Sequence, residues 1–270
     1  LTGNIVNSGN ALLVGQTDSG VPCNVAQLAL MNDDWSYDQL LEYVRPVETT
    51  HKGLYYFNGN ANDATSNNHN GTATSVTYTT GMKMDKAASF DGTNSFISLP
   101  SGSSELRFLA GKGTIDKKFT ICCRVKPSVT TEQYILDLGG SEVGLRIDAN
   151  KRFRGFYFNS DDVEKFCASD NEVVADTEYH VTFVCDGGEA NLYIDGEEQS
   201  TYESGSVSYG RILSHRDTID TNGSPACRIG SPASGTSNRF KGLIELLEIH
   251  DDVLSPWEIK RKAKNKIIPT

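Results

Sequence analysis

Short runs of alternating apolar and polar residues, separated by turn formers, recur along most of this chain. From Gly53 the order is an aromatic run (Leu54, Tyr55, Tyr56, Phe57), a polar stretch from Asn58 to Asn68, and a Thr-rich run around Val76 and Tyr78. Phe90-Asp91-Gly92 then leads into Phe96-Ile97-Ser98-Leu99, with Asp91 placed to form the turn. Strand and turn signals that alternate roughly every eight to twelve residues predict an antiparallel sandwich. The pattern continues through Phe119 to Val125, Tyr134 to Leu138, Val143 to Ile147, Phe153 to Phe158, Glu178 to Cys185 and Ala190 to Ile194. Asp148-Ala149-Asn150-Lys151 and Asp186-Gly187-Gly188 are the hairpin turns, the latter using glycine where positive φ is needed.

Because successive strand residues point to opposite faces, Cys123 shares a face with Phe119, Ile121 and Val125, while Cys122 lies on the other. Cys185 continues the face of Tyr179, Val181 and Phe183, and His180, on the opposite face, is expected at the surface. Most of Tyr55, Phe57, Phe156, Tyr157 and Phe158 are expected in the core, although such rings can also stack on sugars.

At the C-terminal end Ser255 is the expected N-cap of a short helix, with Glu258 at the reciprocal capping-box position. Lys260, Arg261, Lys262, Lys264 and Lys266 follow. Cations late in a helix complement its dipole, so they read as a solvated tail rather than a nucleic-acid or membrane patch. The first 46 residues parallel this closing region. Val25 to Ser36 lies opposite Ile244 to Ser255, and an amphipathic piece follows each serine, Tyr37 to Val44 in one case and Pro256 to Lys262 in the other. Chance similarity aside, residues 1–46 read as the last strands and closing helix of a preceding unit. The expected organisation is therefore 1–46 as that unit or an assembly arm, 47–52 as linker, 53–262 as the main domain and 263–270 as a basic tail.

Hydrophobic residues are 37% of the chain and glycines number 25, a balance that many turns and one-sided strands produce. A formal net charge of −10 argues against a nucleic-acid partner. No apolar run is long enough to insert in a membrane. The chain begins at Leu1, so a removed leader or upstream region, or a fragment, is expected. Cys23, Cys122, Cys123, Cys167, Cys185 and Cys227 sit mainly in ordinary strand positions and read as buried free thiols rather than a disulfide framework. Synthesis in a reducing cytoplasm follows, even for a protein that works outside cells.

Three blocks carry a family resemblance. They are the aromatic strand with its polar loop and the Phe90-Asp91-Gly92 turn; Tyr179-His180-Val181-Thr182-Phe183-Val184 with Asp186-Gly187 and Leu192-Tyr193-Ile194-Asp195-Gly196; and Phe240-Lys241-Gly242-Leu243-Ile244-Glu245-Leu246-Leu247-Glu248-Ile249. The order resembles the laminin-G-like, concanavalin A-like domains. The resemblance implies an all-β, two-sheet antiparallel jelly-roll sandwich over roughly residues 53 to 260, with the short C-terminal helix appended. It also implies Ca2+ between the polar loop and the last strand, which nominates Asp63 and Glu245 as metal ligands. Glu245 stands where the family carries Asp. The alternative for the loop is a turn-rich segment whose Asn and Asp side chains cap their own backbone.

A family fold does not name a function, since this one serves lectins, glycosidases and spacers alike. The Glu-x-Asp-x-Glu strand of related glucanases is missing, Glu245 and Glu248 differ in strand parity, and no serine-elbow, zinc-protease or phosphate-loop motif occurs. The expectation is a non-enzymatic structural or decorating protein of an extracellular surface or virion, assembling with other copies through residues 1–46. The alternative is a calcium-dependent adhesion module that binds surface glycans. Asn70-Gly71-Thr72 and Asn222-Gly223-Ser224 match the glycan-acceptor triplet.

Overall fold

The computed structural model describes residues 51–100, 118–138, 143–158, 164–186, 189–199, 227–233 and 236–264, all within the compact unit Thr49–Thr270. The expectations for residues 1–46, Cys23, Lys266 and Asn222 fall outside them.

The strands are β1 (His51–Tyr55), β2 (Thr72–Thr74), β3 (Thr77–Thr80), β4 (Lys86–Asp91), β5 (Phe96–Leu99), β6 (Lys118–Pro127), β7 (Gln133–Leu138) and β8 (Val143–Ile147). They continue with β9 (Phe153–Phe158), β10 (Glu164–Ala168), β11 (Tyr179–Asp186), β12 (Glu189–Ile194), β13 (Glu197–Glu198), β14 (Cys227–Ile229) and β15 (Lys241–His250), and helix α1 (Pro256–Lys264) closes the domain. One sheet runs β13-β12-β11-β6-β15-β4-β3, with β1 also paired to β15; the other runs β10-β9-β8-β7-β14-β5-β2. Every strand pairing is antiparallel, as a jelly-roll sandwich requires. The long β15 serves two strands along one edge: Lys241 to Ile244 pair with β4, and Leu247 to His250 with β1. The linker expected over 47–52 therefore ends inside β1, and the helix continues past 262 to Lys264.

Alternation sets the core. Phe119, Ile121, Cys123 and Val125 of β6 face Ile135, Leu145, Ile147, Phe153 and Tyr157 of the other sheet, together with Tyr55, Phe57, Val181, Phe183 and Cys185. Cys122 points the opposite way, into a smaller cluster with Val184, Tyr193, Leu254 and Ile259 beneath α1. The five described cysteines are buried and form no disulfide. Burial raises the thiol pKa of Cys122, Cys123 and Cys167, with Cys122 and Cys167 each pushed up to about 12.

Local capping follows the sequence. The Asp91 Oδ1 accepts from the backbone N–H groups of Thr93, Asn94 and Ser95 and from the Ser95 hydroxyl. Glu258 accepts from the Ser255 N–H at 2.8 Å, and the Ser255 hydroxyl accepts from the Glu258 N–H at 3.3 Å, which closes the capping box. Between β12 and β13 the two turn residues Asp195 and Gly196 have φ of 53° and 84°, the conformation of a type I′ hairpin.

Three expectations about the outer face of the eight-stranded sheet change. His180 is fully buried rather than superficial, because α1 covers the face on which it lies. Desolvation and the neighbouring Arg124 push its pKa down to about 3, so it is neutral at neutral pH. Lys262 turns inward from the supposed solvated tail to donate to Glu248. Glu245 and Glu248 do reach the same side, because a bulge between Ile244 and Leu246 inserts one residue and restores their parity.

Candidate functional site

The two nominated calcium ligands serve different local structures. Asp63 Oδ1 accepts from the Leu54 and Thr65 N–H groups at 3.0 Å each, and Oδ2 from the Thr65 hydroxyl at 2.7 Å and the His69 N–H at 2.9 Å. These four donors fill the lone-pair positions of the carboxylate, which closes its own loop. Glu245 Oε1 accepts from the N–H groups of Met82, Lys83 and Met84 at 2.6, 2.8 and 2.7 Å, which pins the β3–β4 turn. Its Oε2 has no hydrogen bond among the described residues and lies 3.6 Å from Arg124 Nε. A carboxylate ringed by N–H groups, or facing a guanidinium, does not fit a Ca2+ ligand, which needs free oxygen lone pairs. The polar loop takes the self-capping form. Asn70, the acceptor residue of the first triplet, is exposed, and its side-chain oxygen accepts from the Asp63 N–H.

A second cluster lies beneath α1. Glu248 Oε2 accepts from His250 Nε2 at 2.9 Å, His51 Nε2 at 3.1 Å and the Lys262 ammonium. Burial alone would raise the Glu248 pKa, but the bonds from His250 and His51 and the Lys262 charge hold it well below the ordinary carboxylate value. Ligand atoms of His51, Glu248 and His250 lie within 4.8 Å of one another. Lys262 occupies the cation position beside the carboxylate, so the cluster is satisfied from within. A depression of about 620 Å³ opens next to it, between His51, Tyr56, Thr65 and Asp251.

The outer face of the seven-stranded sheet is built differently. In one cross-strand row Thr72, Ser98, Arg228, Asp137, Gly144, Phe156 and Phe166 are successive partners from β2 to β10. An adjacent row runs Tyr134, Arg146, Arg154, Ala168. Their parity is opposite to that of the core residues Ile97, Ile229, Leu145, Phe153 and Cys167, so these side chains point away from the other sheet. Gly144 is required here, since a Cβ would lie 2.8 Å from the Phe156 ring and 2.3 Å from the Leu136 carbonyl oxygen.

On this face guanidiniums stack on rings. Arg154 Cζ lies 3.4 Å from the Phe166 centroid, and Arg146 Cζ 4.8 Å from Phe156 and 5.5 Å from Tyr134. Arg228 and Arg239 lie 4.8 and 5.0 Å from the centroid of Phe96. Glu164 Oε1 pairs with both Arg146 at 2.8 Å and Arg154 at 2.7 Å, and the Tyr134 hydroxyl accepts from Arg146 at 2.9 Å. At the Phe166 end the face adjoins a cavity of about 370 Å³ lined by Asp148, Asn150, Arg152, Arg154, Phe166 and Glu172. That volume is in the range of sites for small ligands.

Comparison with known proteins agrees with this architecture. The family profile described as the concanavalin A-like lectin/glucanases superfamily matches residues 91–260. The chain belongs to this superfamily. Among solved structures, its fold is similar to domain 4 of AbnA, a GH43 extracellular arabinanase from Geobacillus stearothermophilus, in complex with arabinotriose. Identity is 20% and the TM-score 0.59, over 79% of this chain and 98% of that one. It is also similar to the binding domain of Paraclostridial mosquitocidal protein 1, at 14% identity and TM-score 0.58, over 78% of this chain and 51% of that one. The receptor binding domain of a botulinum neurotoxin C/D mosaic serotype gives 14% and 0.58, over 80% and 51%. The chain thus spans about half the length of these two toxin domains. At such identities the likeness is one of fold. No curated protein matches.

Within this concanavalin A-like domain, sequence reasoning passed over Phe96, Tyr134, Arg146, Arg154, Phe166, Arg228 and Arg239. A signal was present. Arg146, Arg154 and Arg228 each stand between residues of core parity, in Leu145-Arg146-Ile147, Phe153-Arg154-Gly155 and Cys227-Arg228-Ile229. What joins them into one surface is strand order, which alternation does not supply.

Proposed function

We propose that this chain is a non-enzymatic carbohydrate-binding domain whose ligand lies across the outer face of the seven-stranded sheet. The observation that carries the reading is the combination on that face of rings, guanidiniums and an adjoining polar cavity, the mixture of flat apolar and hydrogen-bonding surface that a saccharide presents in return. The AbnA domain, similar in fold, was solved with arabinotriose, which supports glycan binding on such a sandwich. Glu245 and Glu248, the carboxylates brought to one side by the bulge, are engaged by backbone N–H groups and by His and Lys respectively, which supports binding without hydrolysis. A glycan array followed by titration calorimetry tests the reading. Phe166→Ala and Arg154→Gln are each expected to weaken binding of an array hit at least tenfold with unchanged melting temperature. Hits unaffected by both variants would place the site elsewhere.

A role in assembly on a virion or extracellular surface rests on the repeat in residues 1–46. Deleting them is expected to abolish self-association and leave the sandwich folded.

A further inference from the structure

The two ends of the outer face differ in charge compensation. Glu164 answers Arg146 and Arg154 at one end. At the other, Arg228 and Arg239 flank Phe96, and among the described residues neither guanidinium has an ion pair. Arg228 donates to the Pro232 carbonyl oxygen, at 3.4 Å. Asp137, its neighbour in register, directs Oδ2 to the Ala233 N–H at 2.7 Å. Among the described residues carboxylates thus gather at the Arg146 and Arg154 end, while Arg228 and Arg239 stand without an ion pair, on a chain whose net charge is −10.

The same face is short of acceptors. Among the described residues the buried polar side-chain atoms without a hydrogen bond are Arg146 Nε, Arg154 Nε, Arg239 Nε, His180 Nε2 and Glu245 Oε2. Three of these are guanidinium nitrogens of this one surface. Among the described residues under the helix buried charge is matched, with Glu248 against Lys262 and Glu245 against Arg124. Leaving donors and positive charge uncompensated at half-buried positions costs free energy, and a partner that brings oxygen acceptors and negative charge recovers it.

Resting on the carbohydrate-binding reading, we infer that the ligand is an acidic glycan, with a carboxylate or sulfate group taken by Arg228 and Arg239 around Phe96 and the chain continuing across the strands toward Phe166. Guanidinium forks match carboxylate and sulfate oxygens, and the ring between them offers a sugar ring an apolar plate. From β5 to β10 the face spans five strand spacings, about 24 Å, enough for an oligosaccharide rather than a single sugar. Charge complementarity distinguishes this ligand from a neutral saccharide such as the arabinotriose held by the AbnA domain.

The test uses the full chain and three probes of similar length in titration calorimetry: an oligogalacturonate, a heparin-derived oligosaccharide and a neutral arabino-oligosaccharide. At least one acidic probe is expected to bind ten times more tightly than the neutral one, with affinity falling as salt rises. Arg228→Gln/Arg239→Gln should weaken that probe at least tenfold while leaving the melting temperature unchanged. Whichever acidic probe binds identifies carboxylate or sulfate as the group read. Neutral and acidic probes bound equally, with no effect of the double variant, would overturn the inference and leave the carbohydrate-binding reading standing. Binding of the neutral probe abolished by Phe166→Ala but untouched by the double variant would do the same. Binding of no glycan, on the array or in solution, would overturn both. A single-stranded oligonucleotide bound as tightly as the acidic glycan would also overturn it, because the face would then read charge alone.

Discussion

The two sheets of this sandwich carry polar residues on both outer faces, and the faces treat charge in opposite ways. Under α1, Glu248 meets Lys262, His51 and His250, Glu245 meets three backbone N–H groups, and Arg124 meets Glu178 at 2.7 Å. On the seven-stranded sheet Arg228 and Arg239 meet an aromatic ring and, among the described residues, no carboxylate. A covering helix removes water and makes unpaired charge costly, so that face is nearly closed. Half-buried positions retain enough solvent to tolerate imbalance. Uncompensated charge at such positions is therefore a better guide to a ligand than the dense, satisfied cluster that first draws the eye.

The comparison breaks most sharply at Glu248. Lys262→Met leaves a buried carboxylate without its ammonium and is expected to cost about 3–5 kcal/mol in urea unfolding; Lys262→Met/Glu248→Leu should recover most of that loss. If Lys262→Met costs no more than a surface substitution, the face under the helix is not closed.

Acid should reveal the same face. The folded His180 pKa is pushed down to about 3 from 6.5, so on acidification the unfolded chain takes up the proton first. Its contribution is fully present above about pH 6.5 and is lost as pH falls toward 3. Glu248, held below its usual value, acts in the same direction under pH 4.5. Between pH 6.5 and 4.5 stability should fall by about 1.4 kcal/mol per unit from His180, and His180→Gln should flatten that limb in denaturation curves recorded across pH.

Smaller effects follow. Glu245→Ala strands the N–H groups of the β3–β4 turn and is expected to cost about 1–3 kcal/mol, with faster hydrogen exchange at Met82 to Met84 as the local readout. Arg228→Gln, which breaks no ion pair among the described residues, should change stability by no more than about 0.5 kcal/mol while weakening the acidic probe. At the lower end, chelator should leave the melting temperature unchanged, since Asp63 is filled by donors and Glu245 is held by three backbone N–H groups and faces Arg124; a clear drop would show a calcium site that this arrangement argues against.

How far the sequence reached depends on the range of the interactions involved. Strand alternation put Cys123 in the main core and Cys122 on the far side, Asp91 formed its turn, and Ser255 and Glu258 capped the helix. Each of these depends on residues a few positions apart, so the local sequence determined it. The polar loop lies between two readings in the sequence, and the structure decides it: Asp63 accepts from Leu54 of β1, from the Thr65 N–H and hydroxyl and from the His69 N–H.

Other features belong to the tertiary structure alone. His180 is buried because a helix some eighty residues later covers it. Glu245 and Glu248 share a side because pairing with β6 forces a bulge into β15. Lys262 points inward because Glu248 waits beneath it. The arginine and aromatic rows exist because strand order places β5, β14, β7, β8, β9 and β10 side by side. Alternation determines which side of a strand a residue faces; only long-range pairing and coverage decide which strands lie beside it and whether that side meets water.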